Sequence, residues 1–210
     1  MDYKSQTCCF TGHRNIAPYT PDMVFEQTKA IVTLLVSKGF KYFGAGGALG
    51  FDTIAAQAVL SVKETHPEVK LILVLPCENQ TKYWKQQDID VYNDIKLRAD
   101  KVKVLAPHYY NGCMQKRNRH LVDCSSACIC FLTKHEGGTA YTVDYAKQNG
   151  LDIINVVKEF EGEPSYFSTI LLFFVYQFVA VRLSTCWDLV TAYCAILIRF
   201  CSNTSSTICV

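Results

Sequence analysis

Lys41–Val62 reads KYFGAGGALGFDTIAAQAVLSV, and three kinds of chemistry follow one another in it. Lys41–Phe43 is a short apolar run that suits a buried strand. Gly44–Gly50 is almost devoid of side chains, so its backbone can turn tightly and approach another group closely. Phe51, Ile54, Ala55, Ala58, Val59 and Val62 then recur at the spacing of a helix with one apolar face. Strand, glycine-rich turn, helix is the unit of an α/β fold.

The unit repeats outward from there. Apolar runs at Thr7–Phe10, Leu71–Leu75, Val102–Leu105, Cys128–Leu132 and Ile153–Val157 are hydrophobic almost throughout, as strands covered on both faces must be. Helical spacing falls between them. Phe25, Thr28, Ile31, Val32 and Leu35 carry it, and Gln80–Arg98, Met114–Asp123 and Ala140–Asn149 are helix-compatible, with Gly150 placed to end the last. The expected fold is a doubly wound, mostly parallel sheet with helices on both faces.

Composition bounds the chemistry. The 210 residues are 50% hydrophobic and 19% charged, which fits a packed domain rather than a disordered chain. A net charge of +2 offers no global basic field, so it argues against nucleic acid as a partner. Eleven cysteines include no CxxC pair, and Cys9 to His13 has no second pair to complete a metal site. No metal and no cofactor is expected. Cys8, Cys9, Cys128 and Cys130 lie in apolar runs and read as buried free thiols, and Met1–Phe10 lacks a signal-peptide core. A reducing cytoplasm suits both.

Charge stops near the end. Residues 1–163 hold 19 Lys/Arg and 18 Asp/Glu, whereas 164–210 hold only Arg182, Arg199 and Asp188. The expected organisation is a ligand-binding domain over 1–162 and a hydrophobic tail over 163–210. Pro164–Val181 has no charge for 18 residues, just within membrane-spanning length. An anchor, a packed helical hairpin or a segment foreign to the fold remain open for it.

Ligands of doubly wound sheets bind beyond the carboxyl ends of the strands. The residues there are Thr11-Gly12-His13-Arg14, the Gly46–Asp52 loop, Glu78 after the third apolar run, and Glu136-Gly137-Gly138-Thr139. Two glycine-rich strand–helix junctions on one rim suit a phosphate, since bare amides and a helix start both favour an anion. Leu49 stands where a dinucleotide fingerprint needs glycine, and no Gly-Lys-Ser/Thr follows. The expected ligand contacts are Thr11, Gly12, His13, Arg14, Gly46, Gly47, Gly50, Asp52, Arg117, Gly137, Gly138 and Thr139. Asp52 and Thr139 could equally cap their helices. Arg117 and Arg119 lie two apart, so they leave a helix in different directions. One should meet the ligand and the other an acidic neighbour such as Asp123. Trp84, Tyr109 and Tyr110 are candidates for stacking on a base. Glu78, Glu136 and Asp52 are the only rim carboxylates available for acid–base work.

Thr11-Gly12-His13-Arg14, Gly46–Asp52, Leu75-Pro76-Cys77, Cys113-Met114 with Arg117-Asn118-Arg119, and Gly137–Tyr141 occur in this order. The set resembles the YpsA-like proteins of the SLOG superfamily, whose other branches include the Lonely-guy phosphoribohydrolases and the DprA-type DNA-processing proteins. The resemblance covers about residues 5–157. It implies a Rossmann-like fold, a pocket for a nucleotide or nucleotide-derived ligand, and a cytoplasmic bacterial or phage protein, without supplying a reaction. The phosphoribohydrolases carry P-G-G-x-G-T-x-E-E. Here Val143 replaces the first glutamate of that pair and Asp144 the second, which argues against N-glycosidic hydrolysis. The leading expectation is therefore a nucleotide-binding or sensor module. A nucleotide-processing hydrolase and a DNA-associated module are the alternatives, and a homodimer and membrane contact through 164–181 stay open.

Overall fold

The computed structural model describes residues 2–160. After a 3₁₀ turn (Lys4–Gln6), strands and helices alternate: β1 (Thr7–Gly12), α1 (Pro21–Ser37), β2 (Tyr42–Ala45), α2 (Phe51–Thr65), β3 (Lys70–Leu75), α3 (Gln86–Arg98), β4 (Lys101–Val104), α4 (Cys113–Asp123), β5 (Ala127–Phe131), α5 (Gly137–Gln148), β6 (Asp152–Asn155) and α6 (Val156–Phe160). The six strands form one sheet in the order β4-β3-β2-β1-β5-β6, and every pairing is parallel. The doubly wound expectation holds.

Alternation along β1 sorts the core into two layers. Phe10 packs on Phe43 and Phe51, on the face covered by α1 and α2. Cys9 points the other way, into a cluster with Leu121 and Val122 of α4 and Val143 and Ala146 of α5. All seven described cysteines are free. Burial raises the thiols of Cys8 and Cys130, the latter to about 12, so they stay protonated and pack as small hydrophobes.

Several element boundaries differ from expectation by a few residues, and three of them are instructive. β6 stops at Asn155 rather than running to Val157. The Asn155 carboxamide accepts from Leu132 N (3.1 Å) and Val157 N (3.3 Å), tying off the strand and opening α6. Asn79–Trp84 is turn rather than helix, with Lys82 N donating to Asn79 O (3.2 Å) and Trp84 N to Thr81 O (2.9 Å), so α3 begins only at Gln86. α5 begins at Gly137, ahead of the apolar positions that signal it.

The tail over 163–210, with the readings attached to 164–181, lies outside the described residues. Among the described residues, no helix is long and apolar enough to cross a membrane.

Candidate functional site

Strand order places β2, β1 and β5 side by side, so the loops carrying Gly46–Gly50, His13–Arg14 and Glu136 share one rim at the middle of the sheet. The strand order reverses between β1 and β5, where a doubly wound sheet opens its crevice.

The first two loops are locked to each other. His13 N donates to Phe131 O and Phe51 N donates to His13 O, both at 3.2 Å. Thr11 is buried in β1, and a Cβ on Gly12 would run into the Phe51 ring. Gly50 stands at the start of α2 with φ 83°, its Cα against the Arg14 backbone, while the Arg14 side chain is exposed. Gly47 has φ 63°, and its carbonyl accepts from Gln80 Nε2 at 3.0 Å. His13 Nε2 is buried without a hydrogen-bond partner.

Asp52 and Arg117 meet above this loop. Arg117 Nη1 donates to Asp52 Oδ2 at 3.1 Å, and both side chains are more than nine-tenths buried. Ala48 N donates to the same oxygen at 3.3 Å. The guanidinium occupies the space a side chain at position 46 would need, so a Cβ on Gly46 would overlap Nη1. Gly46 is itself buried. Asp52 therefore does not cap its helix and spends Oδ2 on Arg117 and Ala48, while Arg117 spends Nη1 on Asp52 and keeps Nε buried without a partner.

The other glycine-rich junction is open. Gly137 and Gly138, the first residues of α5, are exposed, and a Cβ on either would meet nothing within 4 Å. No side chain caps α5, since Thr139 sits inside its first turn rather than before it. The two glycines lie on a groove of about 1060 Å³ between α4 and α5, lined also by Tyr110, Lys116, Arg119, His120 and Tyr141.

Arg119 is held at the wall of this groove. Its Nε donates to Tyr141 Oη at 2.7 Å, and its guanidinium lies 5.6 Å from the Tyr141 ring centre and 5.9 Å from that of Tyr145. Asp123, expected beside an arginine, instead accepts from Tyr145 Oη at 2.9 Å, and this bond raises the Tyr145 phenol above its ordinary value. Thr142 Oγ1 accepts from Asn118 Nδ2 at 2.8 Å, fastening α4 to α5.

His120 Nε2 lies 3.2 Å from Lys103 Nζ. Burial, then the Lys103 charge, lowers the His120 pKa. A histidine harder to protonate when folded gives stability that is complete above its unfolded pKa of about 6.5 and declines as pH falls below it. An NMR titration should find His120 the more acidic when compared with an unfolded-peptide imidazole, and His120→Gln should flatten the acid side of the stability profile.

The candidate carboxylates are not brought together. Glu78 and Glu136 are exposed on the loops after β3 and β5, with two strands between them, and Asp52 is ion-paired. Trp84 packs edge-on against Tyr92 at 5.5 Å, while Tyr110 lines the groove. Sequence reasoning gave Arg119 and Tyr141 no place among the ligand contacts. A usable signal was the buried stripe Cys113, Arg117, Leu121 at four-residue spacing, which turns Arg117 toward the sheet and leaves Arg119 outside.

The family model YpsA, described as the YspA SLOG family, matches residues 20–156. The chain is 30% identical to a UPF0398 protein of Halalkalibacterium halodurans over 70% of this chain and 77% of that one. It is 32% identical to the SPbeta prophage-derived protein YoqJ of Bacillus subtilis, over 60% of this chain and 81% of that one. Among solved structures it resembles DNA processing protein A of Helicobacter pylori, with a TM-score of 0.55 at 16% identity over 80% of this chain and 81% of that one. Against the Streptococcus pneumoniae protein the TM-score is 0.52 at 18% identity, over 72% of this chain and half of that one. The family match spans well over half of the chain, and the chain belongs to the YspA SLOG family.

Proposed function

We propose that this protein binds a nucleotide or nucleotide-derived ligand at the carboxyl edge of its sheet, as a binding or sensor module. The groove between α4 and α5 carries the reading. Its size fits a nucleotide-sized molecule. It combines an uncapped helix start with two side-chain-free residues, the cations Lys116 and Arg119, and the rings of Tyr110 and Tyr141. Phosphate, sugar and base each find a complement there. The separation of Glu78 from Glu136 and the engagement of Asp52 favour binding over hydrolysis.

Mass spectrometry of small molecules released from purified protein should find a phosphorylated nucleoside species. Protein that releases none and binds no member of a nucleotide panel would overturn the reading. Gly138→Val should leave thermal unfolding within ~1 °C of wild type without ligand, because the position is open, yet weaken nucleotide binding at least about tenfold. Gly47→Val should instead lower apo stability, since its Cβ would lie 2.8 Å from Leu75 Cδ2 at a φ of 63°.

The second reading is a DNA-associated module. It is favoured by the fold shared with DNA processing protein A, whose Helicobacter pylori member is described by its single-stranded DNA binding mode. Tight oligonucleotide binding with a steep salt dependence would support it.

A further inference from the structure

We infer that Arg119, rather than Arg117, is the arginine that grips the ligand, and that the group it grips is a phosphoryl group. This rests on the nucleotide reading above and deepens it. The two arginines of α4 have opposite environments. Arg117 is buried and spends Nη1 on Asp52. Arg119 is exposed on the groove wall.

An exposed arginine ordinarily loses much side-chain freedom on gripping an anion, which offsets the gain. Arg119 has surrendered much of that freedom already. Nε is fixed by Tyr141 Oη at 2.7 Å, and the guanidinium lies over two rings that stack on each other at 6.5 Å and 11°. The second ring is anchored in turn by Tyr145 Oη on Asp123 at 2.9 Å. Among the described residues, only Nε of this guanidinium is hydrogen-bonded. Both terminal nitrogens stay available on a planar fork, the geometry that matches two oxygens of one phosphate. Lys116 and the side-chain-free Gly137 and Gly138 line the same groove. Arg119 is thus a prearranged donor, and Tyr141 is its positioning residue.

The test uses the full chain and titrates AMP, adenosine, inorganic phosphate and a twelve-nucleotide oligothymidylate into wild type, Arg119→Gln, Arg119→Lys and Tyr141→Phe. AMP should bind wild type, inorganic phosphate should compete, and Arg119→Gln should weaken AMP about 10- to 100-fold while leaving adenosine unchanged. Arg119→Lys should rescue only part, because a point charge lacks the fork. Tyr141→Phe, which keeps the ring and loses the hydroxyl, should weaken AMP less than Arg119→Gln. Unfolding temperatures should be alike for all four proteins. AMP binding unaffected by Arg119→Gln would overturn this inference and leave the nucleotide reading standing. Wild type that binds neither AMP nor adenosine would overturn both. Oligothymidylate binding without AMP binding would transfer the groove to nucleic acid.

Discussion

Arg117→Ala is expected to destabilise the protein by about 3–5 kcal/mol, since it leaves the Asp52 carboxylate buried without its counter-charge. For a chain of this size that lowers the unfolding temperature by roughly 10 °C. Gly46→Ala should do similar damage by a different route, because the added methyl would take the volume held by the guanidinium. The two changes share one cause, so they should not add. Gly46→Ala placed on Arg117→Ala loses its two closest clashes and keeps the one with Asp52 Oδ2 at 2.8 Å, so it should cost less there than in the wild type. Replacing Asp52 and Arg117 together by Leu should recover much of what Arg117→Ala loses. Urea denaturation of the single and double variants measures each step. An Arg117→Ala protein within ~1 kcal/mol of wild type would show that the pair is not a structural tie.

Gly50→Ala is the second large effect. With φ at 83°, an L-residue there costs about 1–2 kcal/mol before any contact is considered. Its Cβ would also press on the Cα and carbonyl of Arg14, and backbone cannot rotate away as a side chain can. The sum should be about 3 kcal/mol or more. Gly137→Ala should cost less, since nothing lies within 4 Å of its Cβ and only the φ of 77° is unfavourable. Thermal unfolding of the two variants side by side separates crowding from conformation. Equal losses would mean that the Arg14 backbone yields.

The strands were legible because strands covered on both faces are apolar at nearly every position, and those of β1, β3 and β5 are. The rim was legible because a parallel sheet delivers every strand–helix loop to the same edge. The end of β6 was not, since Val156 and Val157 are as apolar as strand residues and only the Asn155 carboxamide ends the ladder. Arg117 was the larger difficulty. Its partner lies 65 residues away on a helix of the opposite layer, a separation at which periodicity carries no information. The absence of side chains at 46 reads as room for a phosphate, yet in the fold that room is taken by a guanidinium. Small residues mark a close approach without naming what approaches.

The tie between Asp52 and Arg117 joins α2, packed on one side of the sheet, to α4, packed on the other, around the carboxyl end of β2. Helices in separate layers would ordinarily open independently, each with its own exchange rate for backbone amides. Here the first turn of α2 cannot lift without stranding a buried cation, nor α4 without stranding a buried anion. Amide deuteration should therefore report α2 and α4 as one cooperative unit in native conditions. The Arg117→Ala protein should split that unit into two, with α4 exchanging first.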